Sequence, residues 1–167
     1  MSHFLGHPLR LAISTLKISC LTHLTFTNLF QVSPAQGPSM LPTFAVDGEW
    51  IAADMRYRLG RNVQVGDLVL YKIPLFAHQN GVKRVVGMPG DYVMLGTPEE
   101  PGDDQMIQVP EGHCWIVGDN LPASRDSRVF GPLPLALIQG KIVARVLPWR
   151  DRQWFGSGFE GSGNYDA

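Results

Sequence analysis

"GVKRVVGMPGD", residues 81–91, decides the fold. Its first seven residues are valine-rich, and "PGD" at 89–91 is a tight-turn signal. A β-branched run closed by such a turn reads as a strand. Alternation along it puts Lys83 and Val85 on one face and Val82, Arg84 and Val86 on the other. Periodicity does not say which basic residue turns inward.

The same grammar repeats on both sides. "EWIAAD" (49–54), "VGDLVLYKI" (65–73), "DYVML" (91–95), "QMIQV" (105–109), "HCWIV" (113–117) and "GKIVARVL" (140–147) are further candidate strands. "VGD" recurs at 65–67 and 117–119 as a turn. The only helical candidate in this body is short, from Leu135 to Gln139 after Pro134. Acidic "GTPEEPGDD" (96–104) reads as an exposed hairpin loop. The expected fold is therefore mainly β, an antiparallel and barrel-like sheet over residues 33–148. A Gly- and Ser-rich tail follows at 149–167.

Residues 1–32 differ in kind. The first acidic residue of the chain is Asp47, and "LRLAISTLKISCLTHLTFTNLFQV" (9–32) is apolar and hydroxyl-rich. It has the roughly 20-residue length of a membrane span. Lys17 and His23 lie inside it, and both are costly at mid-bilayer. Three readings stay open: a membrane anchor with Lys17 snorkelling, a mitochondrial targeting segment, and an amphipathic surface helix. Arg10 on the short flank favours a cytoplasm-like side for that end. No A-x-A-type site follows, which disfavours a cleaved secretory peptide.

The chain of 167 residues suffices for one domain with a sizeable core. Charged residues make up 17%, below the globular average of about 25%. The net charge of −1 gives no sign of a nucleic-acid partner. The two cysteines, Cys20 and Cys114, form no C-x-x-C pair.

Chemistry has few places to reside. There is no G-x-S-x-G elbow, H-E-x-x-H or Walker loop. "STLK" (14–17) matches S-x-x-K, but it sits in the apolar segment without that motif's partners. His3, His7 and His23 precede or lie within that segment. His78 sits in a polar turn, and His113 opens a strand. Nothing around them marks a triad base.

A serine with a lysine remains. "GPSMLPTF" (37–44) holds Ser39 between Pro38 and Pro42, which stiffen the turn. A free lysine is only about 0.04% neutral at pH 7, and must lose roughly 2–3 pKa units to serve as a base. Burial among apolar side chains does that. Lys83 has valine neighbours, although a strand lysine is more commonly solvated. "GDNLPASRDSRVFGP" (118–132) gathers Asp119, Asn120, Ser124, Asp126, Ser127 and Arg128. Such a run also suits a plain polar loop. Asp126 and Arg128, at i and i+2, would pair on an extended segment.

Taken in order, "GPSMLPT", "GVKRVVGMPGD" and "GDNLPASRDSRVFGPLP" resemble the three boxes of the type I signal peptidases, which are Ser-Lys serine proteases. The resemblance spans roughly residues 30–148. "GPLPLALIQGKIVARVLPW" (131–149) is similar to the mitochondrial inner-membrane branch of that family. The resemblance implies Ser39 as nucleophile and Lys83 as general base. It implies Ser124 as the hydroxyl positioning the lysine, and Asp126 with Arg128 as a structural ion pair. Met40 and Pro42 would pack around the nucleophile. Many bacterial members carry a serine where Gly37 stands, so the Ser39 backbone N–H would hold the oxyanion with less side-chain help. The implied activity is removal of sorting presequences from proteins bound for the intermembrane space. It would act from the mitochondrial inner membrane, with the body facing that space. Implied partners are extended precursor proteins, a second homologous subunit in a heterodimer, and the lipid bilayer. Neither nucleic acid, metal nor cofactor is implied. A non-catalytic β-barrel scaffold subunit is the alternative, and the intact Ser39, Lys83 and Ser124 argue against it.

Overall fold

The structure, a computed structural model, describes residues 8–74, 76, 79–96 and 105–156. The chain opens with helix α1 (Pro8–Asn28) and passes directly into strand β1 (Phe30–Ala35). Then come β2 (Glu49–Asp54), β3 (Leu68–Lys72), β4 (Asn80–Gly87), β5 (Tyr92–Met94), β6 (Met106–Gln108) and β7 (His113–Val117). A one-turn helix α2 (Ser127–Phe130) follows, then β8 (Leu133–Pro134), β9 (Ile138–Leu147) and β10 (Gln153–Trp154).

The main sheet has the order β1-β2-β9-β3-β4-β7-β8, with β10 added to β9. Every pairing in it is antiparallel. β5 and β6 form a separate hairpin, and the 97–104 part of its expected loop lies outside the described residues. Register shifts between Trp50 and Ile51, Leu70 and Tyr71, and Val85 and Gly87 bend the strands. The sheet curls as a half-barrel, and its end strands β1 and β8 do not pair with each other.

β3 shows why the sheet is central. In "LVLYK", Leu68 and Leu70 join a cluster with Met40, Phe44, Ile51 and Ile142. Val69 and Tyr71 join the opposite cluster, with Val85, Ile116 and Leu133. A strand covered on both faces needs a continuous apolar run rather than alternation. Cys114 is fully buried there, with its thiol pushed up to about 12 by desolvation.

Three expectations need correction. The body begins at Phe30 rather than residue 33, because Phe30–Ala35 pairs along the whole of β2. Leu135–Leu137 forms a 3-10 turn, and Ile138 already belongs to β9. The stretch from 149 is also partly built in: Gln153 and Trp154 pair with Arg145 and Ala144.

Helix α1 leaves its apolar surface uncovered. Every residue from Pro8 to Leu24 is exposed, including Leu16, Ile18 and Leu21. No helix of the described residues is long and apolar enough to cross a membrane.

Candidate active site

Ser39 sits in a 3-10 turn, Pro38–Met40, entered through Gly37 at φ +100°. That left-handed region is one in which L side chains are strained, so a serine at 37 would cost conformational energy. The Gly37 N–H donates to Val46 O at 2.8 Å, and the Phe44 N–H to Met40 O at 2.9 Å. Met40 and Phe44 bury their side chains in the core beneath the loop. Pro42, expected to pack there, is exposed instead.

Strand β4 brings Lys83 to Ser39 across 44 residues of sequence. Lys83 Nζ and Ser39 Oγ lie 2.5 Å apart. Lys83 is only 5% exposed. Desolvation pulls its pKa below the ordinary lysine value, against the opposing pull of the Asp126 and Asp119 charges. The pleat sends Arg84 the other way. Its Nε and an Nη donate to Asp119 at 2.9 and 2.8 Å, and its other Nη donates to Gly66 O at 2.9 Å.

The turn after β7 then grips the loop that carries Ser39. The Asn120 backbone N–H donates to Ser39 O at 3.0 Å, and its side-chain amide donates to Pro38 O at 3.0 Å. Thr43 Oγ1 donates to Asp119 at 2.5 Å. A Cβ at Gly118 would fall 2.5 Å from Ser39 O and 2.2 Å from Ser124 Oγ, so only glycine fits without displacement. None of Gly118, Asp119, Asn120, Arg84 or Thr43 receives a role from the sequence. The one available signal was a Gly-Asp-Asn turn following an apolar strand.

Asp126 organises the layer behind. It is fully buried and accepts from Ser124 Oγ at 2.6 Å, the Gly118 N–H at 3.0 Å and Arg128 Nε at 2.9 Å. Burial resists its ionisation, yet those hydrogen bonds together hold its carboxyl below the usual range. The pair with Arg128 is thus present, but not on an extended segment: Asp126 caps α2 by accepting from the Arg128 N–H. Ser124 lies beside the site, with its hydroxyl donating to Asp126 rather than meeting Lys83. Among the described residues, Lys83 hydrogen-bonds to Ser39 alone.

No histidine lines the cleft among the described residues. His113 Nδ1 sits 3.0 Å from Glu111 O in its own turn, and His23 is exposed on α1. His3, His7 and His78 lie outside the described residues. The cleft around Ser39 and Lys83 has a volume of about 510 Å³ and runs between Ser33–Ala35 of β1 and Asn80–Val82 of β4. Among the described residues β1 pairs only with β2, and its outer edge carries no strand.

The signal peptidase, peptidase S26, family model matches residues 9–100 and 97–149. The chain belongs to this family. Mitochondrial inner membrane protease subunit 1 of Schizosaccharomyces pombe is 39% identical over 140 residues, covering 83% of this chain and 87% of that one. The human protein of that name is 36% identical over 147 residues, covering 88% and 87%. Mitochondrial inner membrane protease subunit 2 of Saccharomyces cerevisiae is 31% identical over 133 residues, covering 76% and 72%. Among solved structures, a signal peptidase I of Enterococcus faecalis V583 aligns with a TM-score of 0.41 at 25% identity, over 48% of this chain and 97% of that one. The signal peptidase family is thus met along nearly the whole described body, from α1 to the end of β9.

Proposed function

We propose that this signal peptidase family member is a serine endopeptidase that uses a Ser39–Lys83 dyad to remove sorting presequences from proteins delivered to the mitochondrial intermembrane space. The 2.5 Å contact between Ser39 Oγ and a buried Lys83 carries this reading. A lysine deprived of solvent gives up its proton more readily, and its neutral amine takes the Ser39 proton as Oγ attacks the scissile carbonyl. The lysinium then protonates the leaving amine, and the neutral amine activates the water that hydrolyses the acyl-enzyme. The Ser39 backbone N–H stabilises the oxyanion. Ser124 acts through Asp126, which ties it to Gly118 and the nucleophile loop. The substrate adds as an extended strand along the open edge of β1.

The names of the relatives support placement at the inner membrane, and the body would face the intermembrane space. The uncovered leucines and isoleucines of α1 are suited to lipid contact. Likeness to both a subunit 1 and a subunit 2 supports a second, homologous subunit as partner. The test is to incubate the full chain with intermembrane-space precursors and map the new N-termini. Wild type produces a defined new N-terminus, whereas Ser39→Ala and Lys83→Ala do not. Cleavage at the wild-type rate by either variant refutes the dyad.

A further inference from the structure

Among the described residues, the cleft is lined by one charged side chain besides Lys83. Among the described residues lining it there is no aspartate or glutamate, and the second cation is Arg125. Other arginines of the body are engaged: Arg84 with Asp119, Arg128 with Asp126 and Arg145 with Glu49. Arg125 is exposed, and among the described residues nothing forms a salt bridge or hydrogen bond with its guanidinium. Its base is nonetheless held still. Ser124 before it and Asp126 after it are both buried and hydrogen-bonded to each other. The result is a fork-shaped donor, unpaired among the described residues, anchored at the rim of a cleft whose described lining holds no acid.

From this we infer that Arg125 is a specificity-determining residue that selects substrates carrying an Asp or Glu side chain close to the cleaved bond. The inference rests on the Ser39–Lys83 reading of the site. An extended chain advances about 3.3 Å per residue, and Arg125 shares one cleft with both catalytic groups. The selected carboxylate therefore lies within about two residues of the scissile bond. A guanidinium meets a carboxylate through two parallel N–H···O bonds, which an ammonium does not.

The experiment uses the full chain and a peptide set based on a cleaved precursor sequence. Each position within two residues of the cut carries Glu, Gln or Lys in turn. At low salt, wild type favours Glu over Gln at one of these positions by roughly fivefold in kcat/KM, the upper range for a solvent-accessible ion pair. The preference shrinks at high salt. Arg125→Ala abolishes the Glu/Gln ratio, Arg125→Lys retains part of it, and Arg125→Glu shifts the preference to Lys. Arg61→Ala, which removes an exposed arginine outside the cleft, keeps the wild-type ratio. An equal Glu/Gln ratio in wild type and Arg125→Ala overturns the inference while leaving the dyad intact, as does a loss of the ratio in Arg61→Ala. If no peptide is cleaved in a Ser39-dependent way, the proposed function fails and the inference fails with it. Should Arg125→Ala not fold, the Arg125→Lys and Arg125→Glu ratios decide the matter.

Discussion

Replacing Gly118 by alanine tests whether the turn after β7 sets the position of Ser39, the proposed nucleophile. The backbone there lies outside the left-handed range, so alanine suits its conformation and only space is at issue. The new methyl would meet Ser39 O at 2.5 Å and Ser124 Oγ at 2.2 Å, whereas real Cβ contacts essentially never fall under 3.0 Å. Rotating the Ser124 hydroxyl relieves one clash at the expense of its bond to Asp126. The other clash is with backbone, so the Ser39 carbonyl must retreat by about half an ångström. A misplacement of about 1 Å at a reacting group costs on the order of 10²-fold. Half of that predicts a loss of roughly tenfold in kcat/KM, or about 1.4 kcal/mol of barrier. Over-packing should also cost about 1–3 kcal/mol of folding stability. The assay pairs kcat/KM on a Ser39-dependent peptide with urea unfolding, at a temperature where the variant stays folded. Wild-type kcat/KM in Gly118→Ala would refute the reasoning, because the nucleophile would then tolerate a shifted carbonyl.

Further outcomes follow from the same geometry. Lys83→Arg should lose about 10²–10⁴-fold in rate, the usual worth of a positioned base, because a guanidinium stays protonated; a rate near wild type would exclude Lys83 as base. In wild type, kcat/KM should rise with pH through the lowered Lys83 pKa and level off below the ordinary lysine value of 10.5. Stability should also rise with pH between the folded pKa and 10.5, since the unfolded chain holds the proton there and the fold does not; Lys83→Met should flatten that stability slope. Asp126→Asn should cost about 3–5 kcal/mol by urea unfolding, because it strands the Arg128 charge in a largely buried position. Asp126 is held below its ordinary pKa, so its stabilisation is present above about 3.8 and fades as pH falls through the lower folded value; the variant should show no such acid-side loss. Asn120→Ala keeps the backbone bond to Ser39 O but loses the side-chain bond to Pro38 O. It should cost about 0.5–1.5 kcal/mol in stability and lower kcat more than it raises KM; unchanged kcat would make that bond merely structural.

How far the sequence could be read depended on where each signal is stored. "EWIAAD" and "HCWIV" are strands over the residues expected, 49–54 and 113–117, because apolar runs and turn residues bound them locally. β1 was hidden because "FQV" continues the apolar run of α1 and Pro34 interrupts the pattern. An edge strand tolerates that proline, since the missing N–H takes nothing from an outer neighbour. α2 is a four-residue helix, too short for any period, and it exists because Asp126 caps it. The hydroxyl of Ser124 donates to Asp126, because a buried carboxylate is a strong acceptor.

Lys83 and Arg84 show how one pleat divides chemistry between neighbours. Both are cations on the same strand, one residue apart, and composition treats them alike. Among the described residues the inward position has no carboxylate hydrogen-bonded to it, and burial there lowers the proton affinity of Lys83. Only an amine can respond by becoming neutral; a guanidinium would remain a buried charge. The outward position faces Asp119, whose two oxygens match the fork of a guanidinium. Asp119 in turn holds Thr43, on the far side of the loop that carries Ser39. The charged pair thus braces the loop that carries Ser39, while the neighbouring lysine, among the described residues, hydrogen-bonds to Ser39 and to no carboxylate, as the proposed base requires. Exchanging the two residues, as Lys83→Arg with Arg84→Lys, preserves charge and composition but should abolish both functions together. Activity in that double variant would contradict the division of roles; an inactive protein that still folds, with a lowered urea midpoint from the lost fork at Asp119, would support it.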